Sequence, residues 1–388
     1  SAILPRFTPS LLPLILFLMK FIALRSNVRA ALALVEGSVG SGITLPILKN
    51  VLLKTEGAQV KVVTTNLELA IENSFAAKIA SEGVLVVPFE TLFSVVQNAD
   101  AERMTCELDH GVLTITTDNY SAKVQGAGAD EFPIIPTIKE PSCVVELEGK
   151  LLRESLAAVV GATQFSEIRP EISGVLCDFQ VSTLKLVGTD SFRLAEKTLS
   201  HRDMKTASTA GCKVIIPLKT VHEAMRVSTP GEATVIAFDQ QQVQFTSGRT
   251  RLISRLIDGR YPDYEQIVPT ASESEATVDR EQFLAAVKLV SSFSGKVSDI
   301  KLKSRDGSAL EIYAATTQVG ENTYLLPAKL TGEPISEMSF NWRYLESGLK
   351  LIAGKQLTLG INGAAKPAIM RSREDASYFY LVMPIKAT

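Results

Sequence analysis

Residue types that often carry chemistry are scarce in this chain of 388 residues, which has four cysteines, three histidines and one tryptophan. Cys106, Cys143, Cys177 and Cys212 stand far apart, with no C-x-x-C pair among them. That excludes a zinc ribbon or a vicinal dithiol, and the spacing reads as buried, reduced thiols in a reducing compartment. His110, His201 and His222 are too scattered for an H-E-x-x-H metal site. Long apolar runs are missing too. The most apolar stretch, LLPLILFLMKF (Leu11–Phe21), is interrupted by Pro13, and it falls well short of the about 20 residues a membrane-spanning helix needs. As a secretion signal it offers a single early cation, Arg6, has Pro5 and Pro9 upstream, and leads into no A-x-A cleavage site. Residues 1–18 therefore read as an apolar extension, with Met19 as the natural start.

Catalytic motifs are also lacking. There is no G-x-S-x-G, and SFSGK (Ser292–Lys296) has Val290 where a Walker A loop needs its first glycine. GAGAD (Gly126–Asp130) does not open a helix after a βαβ strand, so it is no dinucleotide fingerprint. Adjacent acids such as Glu374 and Asp375 read as solvated surface. The expectation is a binding or scaffold protein rather than an enzyme, with no cofactor and no metal.

What is present is a balanced globular composition: 46% hydrophobic residues, 21% charged and a net charge of −2. Such a chain can bury two or three cores, and a near-neutral total leaves room for a local basic surface.

The chain also repeats itself. Three segments begin as a strand followed by an amphipathic helix: MKFIALRSNVRAALALVEG, CVVELEGKLLRESLAAVVGA and ATVDREQFLAAVKLVSSF. Each continues with a hairpin near a threonine, then a strand and second helix, then paired strands. Pro88 to Pro217 spans 217 − 88 = 129 residues, Pro133 to Pro262 spans 262 − 133 = 129, and Thr189 to Thr317 spans 317 − 189 = 128. A period this long means whole domains. Linkers are expected at PIIPTIKEPS (Pro133–Ser142) and IVPTASESE (Ile267–Glu275). The resulting division is 1–18, 19–140, 141–270 and 271–388. Alternating and β-branched strands, as at Val60, Val62 and Thr64, place each copy in the α+β class, with two helices packed on antiparallel sheets and about eight short strands.

Helical spacing puts Leu152, Leu156 and Val159 on one face, with Lys150 and Arg153 on the other. Comparable outer stripes pair Arg25 with Arg29, Lys219 with His222 and Arg226, Arg280 with Lys288, and Arg343 with Lys350. Of the six expected helices only Phe89–Asp100 lacks a base. Five basic stripes in equivalent places would form a surface that attracts phosphates without reading sequence.

From Met19 onward the chain resembles the beta subunit of bacterial DNA polymerase III, the sliding-clamp family. The resemblance lies in MKF at the start, TLPILKN (Thr44–Asn50), ATQFS (Ala162–Ser166), TDSFRLA (Thr189–Ala195), DGRYPDY (Asp258–Tyr264), FNWRYL (Phe340–Leu345) and YLVMPIK (Tyr380–Lys386). It implies three clamp domains per chain and two chains closing head to tail as a homodimeric ring, with helices lining the hole around double-stranded DNA. It implies a processivity factor without an active site, loaded by an ATP-driven loader in the cytoplasm. Polymerase, loader and repair proteins would attach through short Q-L-x-L-F-like peptides. The implied pocket comprises Ile172, Thr189, Phe192, Arg193, Leu194, Pro262, Ile267, Val297, Asn341, Tyr344, Pro367, Leu381, Val382, Met383, Pro384 and Ile385. The implied dimer contacts set Ala122 and Val124 against Leu289 and Val290. Ser191-Phe192 stands where Gly-His is common in the family. In the extension, Leu14, Leu16 and Phe17 follow the partner-peptide pattern, with Pro13 where glutamine is usual, which points to docking in such a pocket of a neighbouring molecule, the alternative being a strand or packing contact elsewhere. The alternative is an exported three-domain binding or adhesion protein that uses Leu11–Leu18 as its signal.

Overall fold

The computed structural model describes residues 19–42, 45–206 and 208–386; Leu14, Leu16 and Phe17 lie outside them. The chain divides into two compact bodies, one built from residues up to 137 with 249–253, the other from 138–248 and 254–388. The helices among the described residues are α1 (Arg25–Val35), α2 (Phe89–Asn98), α3 (Gly149–Val160), α4 (Leu218–Val227), α5 (Arg280–Ser291) and α6 (Trp342–Leu351). They pack in pairs, α1 with α2, α3 with α4 and α5 with α6.

The repeat is written in hydrogen bonds. A strand leads into the first helix of each pair, and the first helical N–H is tied to the same place each time. Arg25 N donates to Glu102 O (3.0 Å), Gly149 N to Glu232 O (2.8 Å) and Arg280 N to Lys355 O (2.9 Å). A helix begins with unsatisfied N–H groups, and this bond settles one of them without a side chain. Carboxylates settle another: Glu148 accepts from Leu151 N and Asp279 from Gln282 N, both at 2.9 Å. The buried stripe of α3 includes the expected Leu152, Leu156 and Val159.

The hairpin turns repeat as closely. Thr65 Oγ1 donates to Leu69 O (3.0 Å), while Asn66 Oδ1 accepts from Glu68 N and Leu69 N (3.1 and 2.8 Å). Likewise Thr189 Oγ1 donates to Arg193 O (2.7 Å), and Asp190 Oδ1 accepts from Phe192 N and Arg193 N (2.9 and 3.0 Å). Each turn holds a non-glycine residue in the left-handed region, Leu67 at φ 75° and Ser191 at φ 78°. In the third repeat Thr316, paired with Gly320, closes the hairpin and accepts from Val319 N (3.2 Å). The counterpart of Thr189 is thus Thr316 rather than Thr317, because this turn is one residue tighter.

In the first body one sheet runs in the order Lys78–Ser81, Met19–Leu24, Arg103–Asp109, Val112–Thr116, Ser121–Gln125. A second contains Leu69–Ala76, Gln59–Thr65, Asn50–Glu56 and Val84–Pro88 in that order. In the second body, the last strand of the third repeat, Tyr378–Val382, adds antiparallel to the hairpin strand Arg193–Ser200 of the second, with Leu194 opposite Leu381. The strand Gly320–Gly332 serves two neighbours, Ala309–Thr316 along its first part and Ser274–Asp279 along its last.

All four cysteines are free; Cys106, Cys143 and Cys177 are buried and Cys212 is half-buried. Burial pushes the Cys106 thiol up to about 12. Although distant in sequence, Cys143, Cys177 and Cys212 converge in the second repeat, and burial followed by the neighbouring thiols pushes Cys177 up. Thiols held protonated in this way are poor nucleophiles.

Candidate functional site

The seam between Arg193–Ser200 and Tyr378–Val382 carries a cleft of about 220 Å³. Beneath it Leu176, Val187, Leu194, Ile215, Tyr261, Tyr264, Ile369 and Leu381 form one buried cluster. The linker Tyr264–Ile267, a short turn of 3₁₀ helix, makes one wall. Tyr264 pins it: its hydroxyl donates to Glu196 Oε2 at 2.6 Å, inside the fold. Burial first, and then that carboxylate, push the phenol far above the ordinary tyrosine range. Met383 N donates to Phe192 O (2.8 Å), which fixes the C-terminal segment to the hairpin turn.

Ten residues expected from the sequence line this cleft: Ile172, Thr189, Phe192, Arg193, Leu194, Pro262, Ile267, Pro367, Leu381 and Met383. Six do not. Val382 is fully buried, because strand alternation turns it inward opposite Arg193. Asn341 caps α6, accepting from Arg343 N at 3.0 Å. The Tyr344 ring carries the Arg193 guanidinium 4.5 Å from its centroid. Pro384 is buried, Ile385 N donates to Ser339 O (2.7 Å), and Val297 stands 65% exposed outside the lining. Four lining residues were missed: Arg169, Ser191, Asp263 and Tyr264. Three of them adjoin or fall within motifs already singled out, TDSFRLA and DGRYPDY, so adjacency was an available signal.

Both cations at the cleft are paired. Arg193 Nε lies 2.8 Å from Asp190 Oδ2, and Arg169 Nε lies 3.2 Å from Glu171 Oε1 while donating through Nη1 to Ser191 Oγ (2.8 Å). The cleft is mostly apolar and both of its cations are paired, while Asp263 accepts from Gln266 Nε2 at 2.7 Å at its rim, so it suits a ligand anchored by uncharged side chains. Beyond Ile267, Pro367 and Met383 it continues into a groove of about 900 Å³ along the linker as far as Glu273.

On the helices, Arg29, Lys150, Arg153, Lys219, His222, Arg226, Lys288, Arg343 and Lys350 are exposed. Lys350 meets Glu346 at 2.8 Å and Lys150 meets Glu154 at 3.8 Å, each one helical turn away. Arg226 meets Glu223, and Arg343 stacks on Trp342 at 4.4 Å. Arg25 and Arg280 depart from the expected stripe. Arg25 Nε donates to Ala101 O (2.9 Å) and Nη1 to Val96 O (3.4 Å), at the end of α2. Arg280 Nε donates to Gly354 O (2.9 Å) and Nη1 to Leu349 O (3.3 Å), at the end of α6. A first-turn arginine beside its partner helix's C-terminus is drawn to the carbonyls and the negative dipole there.

The residues expected at the dimer contact divide by exposure. Val290 is fully buried on the core face of α5 beside Phe283, Ala286 and Val287, and Val124 turns into its own sheet at 4% exposure. Leu289 is 57% exposed and Ala122 half-buried. The strand Ser121–Gln125 ends its sheet. Near Leu289, Asn322 Nδ2 donates to Leu289 O (3.4 Å), and Leu325 is 51% exposed on the first part of Gly320–Gly332.

Among the described residues no group of three or more His, Cys, Asp and Glu side chains is placed to hold a metal ion. No described helix is long and apolar enough to cross a membrane.

Comparison with known proteins assigns the whole arrangement. Family models of the DNA polymerase III beta subunit match in order, the N-terminal domain over residues 19–136, the central domain over 146–263 and the C-terminal domain over 265–386. The chain is 28% identical over 376 residues to the beta sliding clamp of Synechococcus elongatus, covering 95% of this chain and 99% of that one. It is 26% identical over 382 residues to the beta sliding clamp of Bacillus subtilis, covering 95% and 100%. The fold superposes on the crystal structure of the Bacillus subtilis clamp with a TM-score of 0.90 at 24% identity, over 95% of this chain and 100% of that one. A clamp from Pseudomonas aeruginosa bound to griselimycin superposes with a TM-score of 0.89 at 25% identity, over the same shares. With every repeat matched in sequence and fold, this chain belongs to the DNA polymerase III beta subunit family, the bacterial sliding clamps.

Proposed function

We propose that two copies of this chain close head to tail around duplex DNA and hold the replicative polymerase on it, an accessory role that needs no active site. The reading is carried by the match of all three repeats, in order, to the domains of one clamp family. The domain limits we adopt are 19–140, 141–270 and 271–388. The exported adhesion alternative finds no support among these relatives.

Ring closure is supported by a pairing within one chain. The last strand of the third repeat adds to the hairpin strand of the second. The equivalent pieces left over are Ser121–Gln125 of the first repeat and the first part of Gly320–Gly332 of the third. A second copy would join them by the same pairing, with Ala122, Leu289 and Leu325 at the seam. The exposed helical cations, from Arg29 and Arg153 to Lys219 and Lys350, would face phosphates and bind them weakly and without regard to sequence. The cleft at Arg193 and Met383 would take partner peptides anchored by apolar side chains. The cell compartment that fits a replication clamp is the cytoplasm.

The test is topological. Clamps loaded by an ATP-driven loader onto nicked circular DNA are expected to be retained, and linearising the circle should release them through the free ends. Equal loss from circles and linear molecules would overturn the ring.

A further inference from the structure

Arg193 belongs to two places at once. Its side chain lines the cleft, and its guanidinium lies 4.5 Å from the centroid of the Tyr344 ring on α6. Nη1 stands 3.5 Å from the hydroxyl of Ser347, on the same face of that helix, and Ser347 Oγ donates in turn to Arg343 O at 2.8 Å. α6 also lies directly on the strand Tyr378–Val382: a Cβ at Gly348 would stand 2.6 Å from Tyr380 Cδ1, while the next residue of that strand, Leu381, lines the cleft. The exposed cations Arg343 and Lys350 stand on this same helix.

The contacts around the guanidinium are not fully made. The separation of 3.5 Å is long for an N–H···O bond, and the buried Tyr380 hydroxyl faces the guanidinium without a hydrogen bond of ordinary geometry. Asp190 Oδ2, 2.8 Å from Nε, holds the group from the other side. The Arg193 side chain keeps 15% of its surface in water. An apolar peptide seated in the cleft would strip that water and lower the local dielectric, which strengthens the bonds to Ser347 and Tyr380 and the stacking on Tyr344.

We propose that Arg193 is a positioning residue that couples the cleft to α6. A peptide in the cleft draws the guanidinium onto Tyr344 and Ser347, and the steadied helix presents Arg343 and Lys350 to a phosphate backbone with less freedom left to lose. This rests on reading the cleft as a peptide site and the helical cations as a duplex surface. Coupling of two binding equilibria is reciprocal, so duplex tightens the peptide by the same factor.

The experiment uses the full chain, an uncharged, end-blocked peptide containing Gln-Leu-Ser-Leu-Phe, and a short linear duplex at low salt. Each is fluorescein-labelled in turn and read by fluorescence polarisation. Saturating peptide is expected to tighten duplex binding about fivefold. Tyr344→Leu with Ser347→Ala, both outside the cleft lining, should still bind each ligand alone but bring the two duplex affinities to equality. Arg193→Lys, which keeps the charge but not the planar fork, should lose the coupling too. Equal duplex affinity with and without bound peptide in the unaltered chain would overturn the coupling and leave both sites standing. Undiminished coupling in the double variant would overturn the route through Arg193. Failure of the peptide to bind would overturn the cleft reading, failure of the duplex the helix reading, and the coupling with either.

Discussion

Single residues at the cleft have distinct jobs, and only some of those jobs were legible in advance. Apolar lining residues such as Ile172, Leu194 and Met383 could be carried from the family resemblance because a pocket of this kind asks only for apolar character at fixed places. Tyr264 was not among them, although it lies in DGRYPDY, since its value lies in a bond to Glu196, which is 68 residues away and 7% exposed. No local pattern announces such a partner. Tyr264→Phe leaves that buried carboxylate short of its strongest donor, with Thr198 Oγ1 at 3.1 Å still in place. Hydrogen bonds to charged groups contribute about 1.5–3 kcal/mol. Urea unfolding should show a loss of that order, and Glu196→Gln added to Tyr264→Phe should recover part of it. Probe-peptide affinity should fall as well, because the linker wall loses its pin. Ser191 shows the converse. Its φ of 78° lies in the left-handed region that glycine adopts most freely, so the turn holds a serine where glycine would carry no strain.

At the scale of elements, helical periodicity reported both faces of α3 correctly, because burial on one side and solvent on the other impose the 3.6-residue period directly. The same reasoning places Arg25 and Arg280 on outer stripes without showing that each is tied to carbonyls at a neighbouring helix's end. Periodicity assigns a face, but it cannot tell that a neighbouring helix ends within reach of the guanidinium. The two kinds of arginine should separate by experiment. Arg153→Ala with Lys219→Ala should leave thermal unfolding near that of the unaltered chain. It should reduce the salt dependence of duplex binding by about 0.9 in the log–log slope for each phosphate no longer neutralised. Arg280→Ala should do the reverse, lowering the unfolding temperature as the end of α6 loses its donor, with little change in slope.

For the whole molecule, the repeat and the α+β class were plain from spacing, whereas the interface residues were not. The family resemblance points to the edge strand and α5, whereas which side chains each element turns inward, Val124 and Val290 among them, depends on core packing that no local pattern displays. The hydrogen-bond phase of the edge is sharper evidence. Gly126 N donates to Gly111 O and Thr117 N to Tyr120 O (both 2.8 Å), so alternation by two leaves the N–H of Lys123 pointing away from its own sheet. Lys123→Pro removes that outward donor while sparing the inner ladder. Sedimentation at micromolar concentration should then report a monomer where the unaltered chain is a dimer; a persistent dimer would place the interface elsewhere.

The cleft lies directly over the strand pairing that joins the second repeat to the third, so any ligand there is gripped by two repeats at once. Flexing that joint must loosen the ligand, and the ligand must in turn stiffen the joint, because coupling between binding and shape is reciprocal. Each partner that attaches thus alters the compliance of the structure it travels on. A machine that bends the clamp would meet different resistance when the cleft is full than when it is empty.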